Sequence, residues 1–180
     1  MKEMQRYIPK LKISWQQALV EGMGFKWKEQ DYSIIKSGSE IENDVGVNWH
    51  VQQDWDSKKW GENNWKELAG LLEKNYIVSW QKGMNNLDEY ISWIASCRAV
   101  VTCETLGLHL ASALRKKVIG LVGPMTNNEY PYDRLTLIKP SPRICMPCDS
   151  PNCNLGNSCM NDIYPYKVNE LILGVLQKST

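Results

Sequence analysis

The residues best suited to chemistry lie where an apolar run turns into an amphipathic segment. Val100 to Thr102 is a short β-branched run of the kind that makes a buried strand. After Cys103-Glu104-Thr105 the chain continues through Leu106, Leu110, Ala113 and Leu114, an apolar face at helical spacing. A second apolar run, Val118 to Val122, closes on Gly123-Pro124. Strand, helix, strand makes one βαβ unit whose two strands run parallel in one sheet. Thr105 stands at the N-cap position, which would turn the amides of Leu106, Gly107 and Leu108 outward from the carboxyl edge of that sheet. Unpaired amides at the positive end of a helix dipole suit an anion, and Gly107 has no side chain to obstruct its approach. An ordinary capped helix accounts for the same residues.

Three other groups carry chemical potential. Lys58 and Lys59 sit in the loop His50 to Trp60, either as a solvated pair at the start of a helix or as an anion contact. Gln81, in Gln81-Lys82-Gly83, is a surface loop glutamine or a polar ligand contact. Cys145, Cys148, Cys153 and Cys159 crowd together with the spacing C-x2-C-x4-C-x5-C, which lets four thiolates reach one tetrahedral ion. Structural zinc, free thiols and disulfides are the three readings, and a reducing compartment disfavours the last. A zinc-ribbon DNA binder fits poorly, because Arg143 is the only basic residue near the cluster. Cys97 and Cys103 lie in apolar surroundings and belong to the core.

Five strands and their helices must position these groups. The strands are Asp44 to Trp49, Tyr76 to Trp80, the run around Val100 to Thr102, Val118 to Val122, and Leu135 to Lys139. One helix starts near Glu62 and buries Trp65, Leu68, Ala69 and Leu72. Another is capped by Asn86 with Glu89 three residues on, ahead of Leu87, Tyr90, Ile91 and Ile94. The last begins near Pro165 and carries Val168, Leu171, Ile172, Val175 and Leu176 on one face. Strands alternating with helices predict an α/β fold, a doubly wound parallel sheet of Rossmann-like type. Ligands of such sheets bind outside the carboxyl ends of the strands, and Lys58, Gln81 and Glu104 to Gly107 all follow such ends. Residues 1–43 lack this pattern: Trp15 to Leu19 suggests a short helix ended by Gly22 and Gly24, and Ser37-Gly38-Ser39 a loop.

Glu104-Thr105-Leu106-Gly107-Leu108-His109-Leu110-Ala111 resembles the D-[ST]-x-G-x-H-x-A signature of the glycosyltransferase family 9 heptosyltransferases. Gly120-Leu121-Val122-Gly123-Pro124-Met125 resembles the FGPT strand end that follows it there. The loop His50 to Trp60 resembles the family's GLNPG…sKrWP segment, with Lys58 at the lysine position and Gly61 in place of proline. The helix from Leu87 resembles a further family segment, so the ordered matches run from about Asp44 to Leu176.

The resemblance implies the C-terminal, donor-binding half of a GT-B enzyme. Residues 44–180 would be the nucleotide-sugar domain with a cysteine-rich insert at 143–160, and residues 1–43 a linker or remnant of a first domain. It further implies transfer of a sugar, typically heptose from an ADP-activated donor, to lipopolysaccharide core or a related glycan, with inversion and without a catalytic metal or other cofactor. Lys58 and the amides after Thr105 would hold the diphosphate, Gln81 the nucleoside, and Glu104, where the family has Asp, the sugar hydroxyls. Leu106 replaces a frequent glycine of the signature, and Met125 replaces the threonine of FGPT. His109, one turn into the helix, is a ligand contact or a packed residue. The first domain carries the family's acceptor site and carboxylate base, so no catalytic residue is expected in this chain. The lipid A-core acceptor would then be met through that domain or a partner chain. Cysteine-rich inserts of this look recur in the family outside its transfer chemistry.

Composition bounds these readings. With 180 residues and 43% hydrophobic content the chain is long enough for one domain with a real core. A net charge of +1 offers no electrostatic case for nucleic acid. The eight Trp and eight Tyr against one Phe fit amphipathic pockets as well as a core. The first residues, MKEMQRYIPKLK, lack the apolar stretch of a secretory signal, and no run reaches the roughly 18 apolar residues of a membrane span. A soluble, cytoplasmic protein is expected, peripheral to the inner membrane if its acceptor is there. The alternatives to a donor half are a non-catalytic nucleotide-binding or interaction module of the same fold, and another enzyme on a doubly wound sheet, such as an epimerase or a different nucleotide-sugar transferase.

Overall fold

A computed structural model describes residues 13–28, 33–34, 40–84, 86–123, 134–146, 148 and 150–177. The expectations at Ser37 to Ser39, at Pro124-Met125 and at the loop Thr126 to Asp133 lie outside the described residues. In chain order the elements are α1 (Trp15–Gly22), β1 (Asn43–Asn48), a 3-10 turn (Asp56–Lys58), α2 (Glu62–Leu72), β2 (Val78–Trp80) and α3 (Leu87–Ala95). These are followed by β3 (Cys97–Cys103), α4 (Leu106–Ala113), β4 (Lys117–Leu121), β5 (Leu135–Ile138), a second 3-10 turn (Cys159–Asp162) and α5 (Pro165–Gln177).

The five strands form one parallel sheet in the order β2-β1-β3-β4-β5. The winding therefore reverses between β1 and β3: the chain leaves β1 toward β2 on one side and leaves β3 toward β4 on the other. Val45 pairs Ala99 and Asn48 pairs Thr102 across that junction. In doubly wound sheets this reversal opens a crevice at the carboxyl ends of the two strands.

Alternation along the strands divides the core into two layers. Val45, Val47, Ala99, Val101, Cys103, Ile119 and Leu121 face α2 and α5, burying Trp65, Leu68, Leu72, Val168, Ile172 and Leu176. Val100 and Val118 face α3 and α4, with Ile94, Leu108, Leu110 and Ala111. All five strand residues after Arg98, Ala99 to Cys103, are buried, as expected for a strand covered on both faces. Cys97 and Cys103 are fully buried, as their apolar neighbours suggested. Burial pushes the Cys97 thiol up to about 11 and the Cys103 thiol up to about 12, so both stay protonated and inert.

Local sequence sets the boundaries. Asn86 caps α3 by accepting from the Glu89 amide at 2.9 Å, and its own amide donates to the Glu89 carboxylate at 3.2 Å. Arg115 enters the left-handed region at φ 58°, where the Lys116 amide bonds back to the Ala111 carbonyl at 2.9 Å and ends α4. Strand β3 starts at Cys97, earlier than the Val100 run suggested, because Asn43 in β1 pairs with it there. Strand β2 is shorter than expected. Ile77, just before it, bonds Asp44 and Val45 through its carbonyl, yet its side chain is exposed. The segment before β1 touches the domain at Ile34, whose amide bonds the Ala113 carbonyl at 2.8 Å.

Two glycines in helices meet very different surroundings. A Cβ on Gly107 would lie 2.3 Å from both the Asn48 amide nitrogen and the Tyr90 hydroxyl, whereas one on Gly70 would meet nothing within 4 Å. Gly107→Ala is therefore expected to destabilise the fold by about 1–3 kcal/mol through overpacking. Gly70→Ala should be neutral or stabilising by up to about 1 kcal/mol. Urea unfolding of the two variants checks the contrast, and equal midpoints would contradict it.

Candidate functional site

At the reversal between β1 and β3 lies a cavity of about 400 Å³, within the range of small-molecule sites. Its walls come from five places: Asn48 at the end of β1, the loop after it (His50, Val51, Gln52, Trp55, Lys58), Gln81 after β2, Tyr90 of α3, and Glu104 to Gly107 between β3 and α4. Lys58, Gln81, Glu104, Thr105, Leu106 and Gly107 were all legible as candidates, and the fold brings these six to one cavity. His109 is the exception. It lies a turn further along α4 and does not line the cavity. Burial lowers its pKa below the ordinary 6.5, with Glu104 opposing and Lys58 reinforcing the shift, so the imidazole is neutral at neutral pH.

Asn48 builds the floor of the site. Its carboxamide, 1% exposed, donates to the Thr102 hydroxyl at 2.7 Å and to the Thr105 hydroxyl at 3.2 Å. Its oxygen accepts from the Tyr90 hydroxyl at 2.9 Å. Burial pushes the Tyr90 phenol up to about 12 against the lowering effect of that bond, so it remains a donor throughout the ordinary pH range. This clamp explains why glycine stands at 107: the Asn48 and Tyr90 side chains occupy the space a Cβ would take. It also changes the expected role of Thr105. Thr105 is the N-cap residue of α4, but its side chain makes no capping bond, because its hydroxyl is held by Asn48 and lies 3.3 Å from that of Thr102. The Leu108 amide bonds the Thr105 carbonyl at 3.1 Å instead, while the amides of Leu106 and Gly107 gain no side-chain cap.

Opposite the helix start, the Lys58 ammonium lies 3.6 Å from a Glu104 carboxylate oxygen and 4.6 Å from the centre of the Trp55 ring. Both partners of the ion pair are largely withdrawn from solvent, with side-chain exposures of 16% and 7%. Lys59 turns away and pairs with Asp56 on the surface. Of the two lysines, then, only Lys58 faces the cavity. Gln81 is fixed through its backbone: its amide bonds the Val47 carbonyl at 3.0 Å and its carbonyl accepts from the Trp49 indole at 2.9 Å. Its side-chain oxygen is buried with no hydrogen-bond partner among the described residues. Such an acceptor is costly to leave unmet and suits a donor on a ligand. The arrangement offers one cation, a helix start and a buried amide acceptor around a single space, a set suited to an anionic ligand with a polar ring or sugar.

The four clustered cysteines form a second feature. Cys145, Cys148, Cys153 and Cys159 all line one cavity of about 210 Å³ beside the second 3-10 turn. Cys159 is buried, Cys145 is exposed, and the six cysteines of the chain are free thiols. Burial raises the Cys159 pKa while the Arg143 guanidinium lowers it. Arg143 closes the loop, bonding Asp162 through two nitrogens at 2.9 and 2.8 Å and the Asn157 carbonyl at 2.6 Å. No group of three or more His, Cys, Asp or Glu side chains among the described residues converges into a metal-holding arrangement. The fold thus gathers the four thiols around one space without drawing them into a closed cage.

Sequence reasoning missed Asn48, Tyr90 and Trp55. Asn48 ends an alternating strand on the side where an apolar residue is usual, which is the one signal that could have found it. Tyr90 read as part of an apolar helix face.

Residues 82–158 match the family model described as glycosyltransferase family 9 (heptosyltransferase). Over 59 residues the chain is 37% identical to lipooligosaccharide heptosyltransferase 2 of Haemophilus influenzae, a stretch covering 32% of this chain and 17% of that protein. The structure of the E. coli ADP-heptose LPS heptosyltransferase II superposes with a TM-score of 0.59 at 17% identity, over 93% of this chain and 53% of that one. The bacterial iron-containing dodecameric glycosyltransferase TibC from enterotoxigenic E. coli gives a TM-score of 0.64 at 15% identity, over 94% of this chain and 55% of that one. The chain thus spans about half the length of the solved structures it matches, and these likenesses show a shared α/β fold. By sequence over residues 82–158, and by fold over nearly all of its length, the chain resembles the heptosyltransferases of glycosyltransferase family 9.

Proposed function

We propose that this chain is the donor-binding half of a family 9 glycosyltransferase, and that the cavity between β1 and β3 receives a nucleotide-diphospho-sugar of the ADP-heptose kind. The observation that carries the reading is the convergence of Lys58, Gln81 and Glu104 to Gly107 on one space at the point where the sheet reverses. Residues 44–180 form the donor domain, with 143–160 as an insert and 1–43 as the connection toward an acceptor domain.

In this reading Lys58 and the first-turn amides of α4 bind the diphosphate and stabilise the charge that develops on it as the sugar leaves. Trp55 and Glu104 hold the Lys58 ammonium in place beforehand, so little reorganisation is needed at the reaction. Glu104 accepts from sugar hydroxyls, and Gln81 meets the nucleoside through its buried oxygen. An acceptor domain, supplied by further sequence or a partner chain, brings the lipopolysaccharide or related glycan hydroxyl and the carboxylate base. The acceptor oxygen attacks the anomeric carbon from the face opposite the diphosphate, which leaves with the bond electrons and inverts the centre. The ADP-heptose named for the E. coli structural neighbour supports this donor class.

The cysteine loop is read here as a structural metal site. Four thiols around one cavity are a donor set suited to zinc or iron, and TibC is described as iron-containing. A bound ion would cross-link the loop.

Calorimetric titration tests the donor site. ADP and ADP-heptose should bind the chain, and Lys58→Ala should weaken them by about 1–3 kcal/mol, the loss of a charged hydrogen bond. A folded chain that binds neither ligand would favour a non-catalytic interaction module, and a preference for UDP would favour a different nucleotide-sugar enzyme. For the cysteine loop, elemental analysis of protein purified without added metal should find about one equivalent of zinc or iron. Removal by a chelator should lower the melting temperature, and the double variant Cys148→Ser/Cys153→Ser should lose the metal. Four thiols that titrate freely with no bound metal would overturn that reading.

A further inference from the structure

Ser57 is a buried polar residue, 4% exposed, at the centre of the 3-10 turn that ends in Lys58. Its amide donates to the Pro151 carbonyl at 2.9 Å, and its hydroxyl donates to the Ser150 carbonyl at 2.7 Å. Both acceptors belong to the cysteine-rich loop. Ser57 lines the cavity of the four thiols, while its neighbour Lys58 lines the larger cavity at the strand ends. One short turn is therefore the partition between the two spaces. A three-residue 3-10 turn holds itself together weakly: here the Lys58 amide bonds Trp55 and the Lys59 amide bonds Asp56, each at 3.0 Å. Neither bond fixes the turn against the rest of the molecule. The two bonds from Ser57 do, and Trp60, just beyond the turn, adds a third tie through its indole to the Ile163 carbonyl at 2.9 Å. The loop that receives them is itself braced by the Arg143 clamp on Asp162 and Asn157.

We propose that Ser57 is a positioning residue for the diphosphate site: it locks the Lys58 turn to the cysteine-rich loop, so that the order of the loop sets the affinity for a nucleoside diphosphate. The inference rests on the donor-site reading above and adds a connection which that reading does not need. Lys58 reaches its cavity over Trp55 and toward Glu104, and a turn released from Ser150 and Pro151 no longer holds that direction. Loosening the loop from its own side has the same effect as removing the hydroxyl.

The test is a calorimetric titration of ADP into the full chain and its variants, with circular dichroism to confirm folding. Ser57→Ala should weaken ADP by about three- to tenfold, the loss of one hydrogen bond, and Ser57→Thr, which keeps the hydroxyl, should restore it. In a Lys58→Ala background Ser57→Ala should have no further effect, a result that a merely structural role does not give. Pro151→Gly, which keeps the carbonyl that the Ser57 amide meets but loosens the loop backbone, should weaken ADP in the same Lys58-dependent way. Full ADP affinity in Ser57→Ala, where Lys58→Ala is weakened, would overturn the inference and leave the donor site standing. So would equal weakening with and without Lys58. Should Ser57→Ala fail to fold, an unchanged affinity in Pro151→Gly decides against it. If the unaltered chain binds no ADP, the donor-site reading itself falls and the inference with it.

Discussion

The Asn48 carboxamide is the constraint on which the rest of the site depends. It is an amide taken out of water at the junction of β1 and β3, where an unmet donor or acceptor would be expensive. Its nitrogen is met by two threonines and its oxygen by Tyr90. One side chain thereby joins the ends of two strands, the start of α4 and the flank of α3. The two central strands cannot slide against each other without breaking these bonds, and α4 cannot approach unless residue 107 is glycine. Because the Thr105 hydroxyl is spent on Asn48, it does not cap the start of α4.

Much of this architecture is legible in the sequence, and the reasons are local. The β-branched runs Val100 to Thr102 and Val118 to Val122 mark central strands because both faces of such strands are covered. Asn86 with Glu89 marks the start of α3 through a bond three residues long. Lys58, Gln81 and Glu104 to Gly107 follow strand ends, and doubly wound sheets bring strand ends together. What stays hidden is whatever depends on partners far along the chain. Asn48 and Thr102 are 54 residues apart, and Tyr90 and Asn48 are 42 apart. Tyr90 has the spacing of a core residue and only its neighbours make it a donor to Asn48. The loss of the Thr105 cap has the same origin: the residue type is right for a cap, and a distant amide takes the hydroxyl. Proximity along the chain also misled in one respect, since Lys58 and Lys59 look equivalent and only Lys58 faces inward.

Two cavities share the turn Asp56 to Lys58, and their chemistry is opposite. One gathers thiols and closes on the Arg143 to Asp162 pair. The other presents an ammonium already paired with a carboxylate and seated on an indole. Such an ammonium is partly desolvated before any anion arrives, so a diphosphate has less water to displace from it than from an exposed lysine. Glu104 moderates the same contact, because it competes with the anion for the charge. The positive character around the cavity is thus divided, part on the lysine and part on the helix start.

The sheet is also graded in length. Its seven-residue strand, β3, is central, while among the described residues its borders are β2 with three residues and β5 with four. A border strand exposes a row of unpaired backbone groups that can template pairing with another chain. Rows this short offer a foreign strand few ladder bonds, and the parallel core behind them is sealed by helices on both faces. The same taper that crowds the long strands around the cavity thus discourages edge-to-edge association and the aggregation that follows from it.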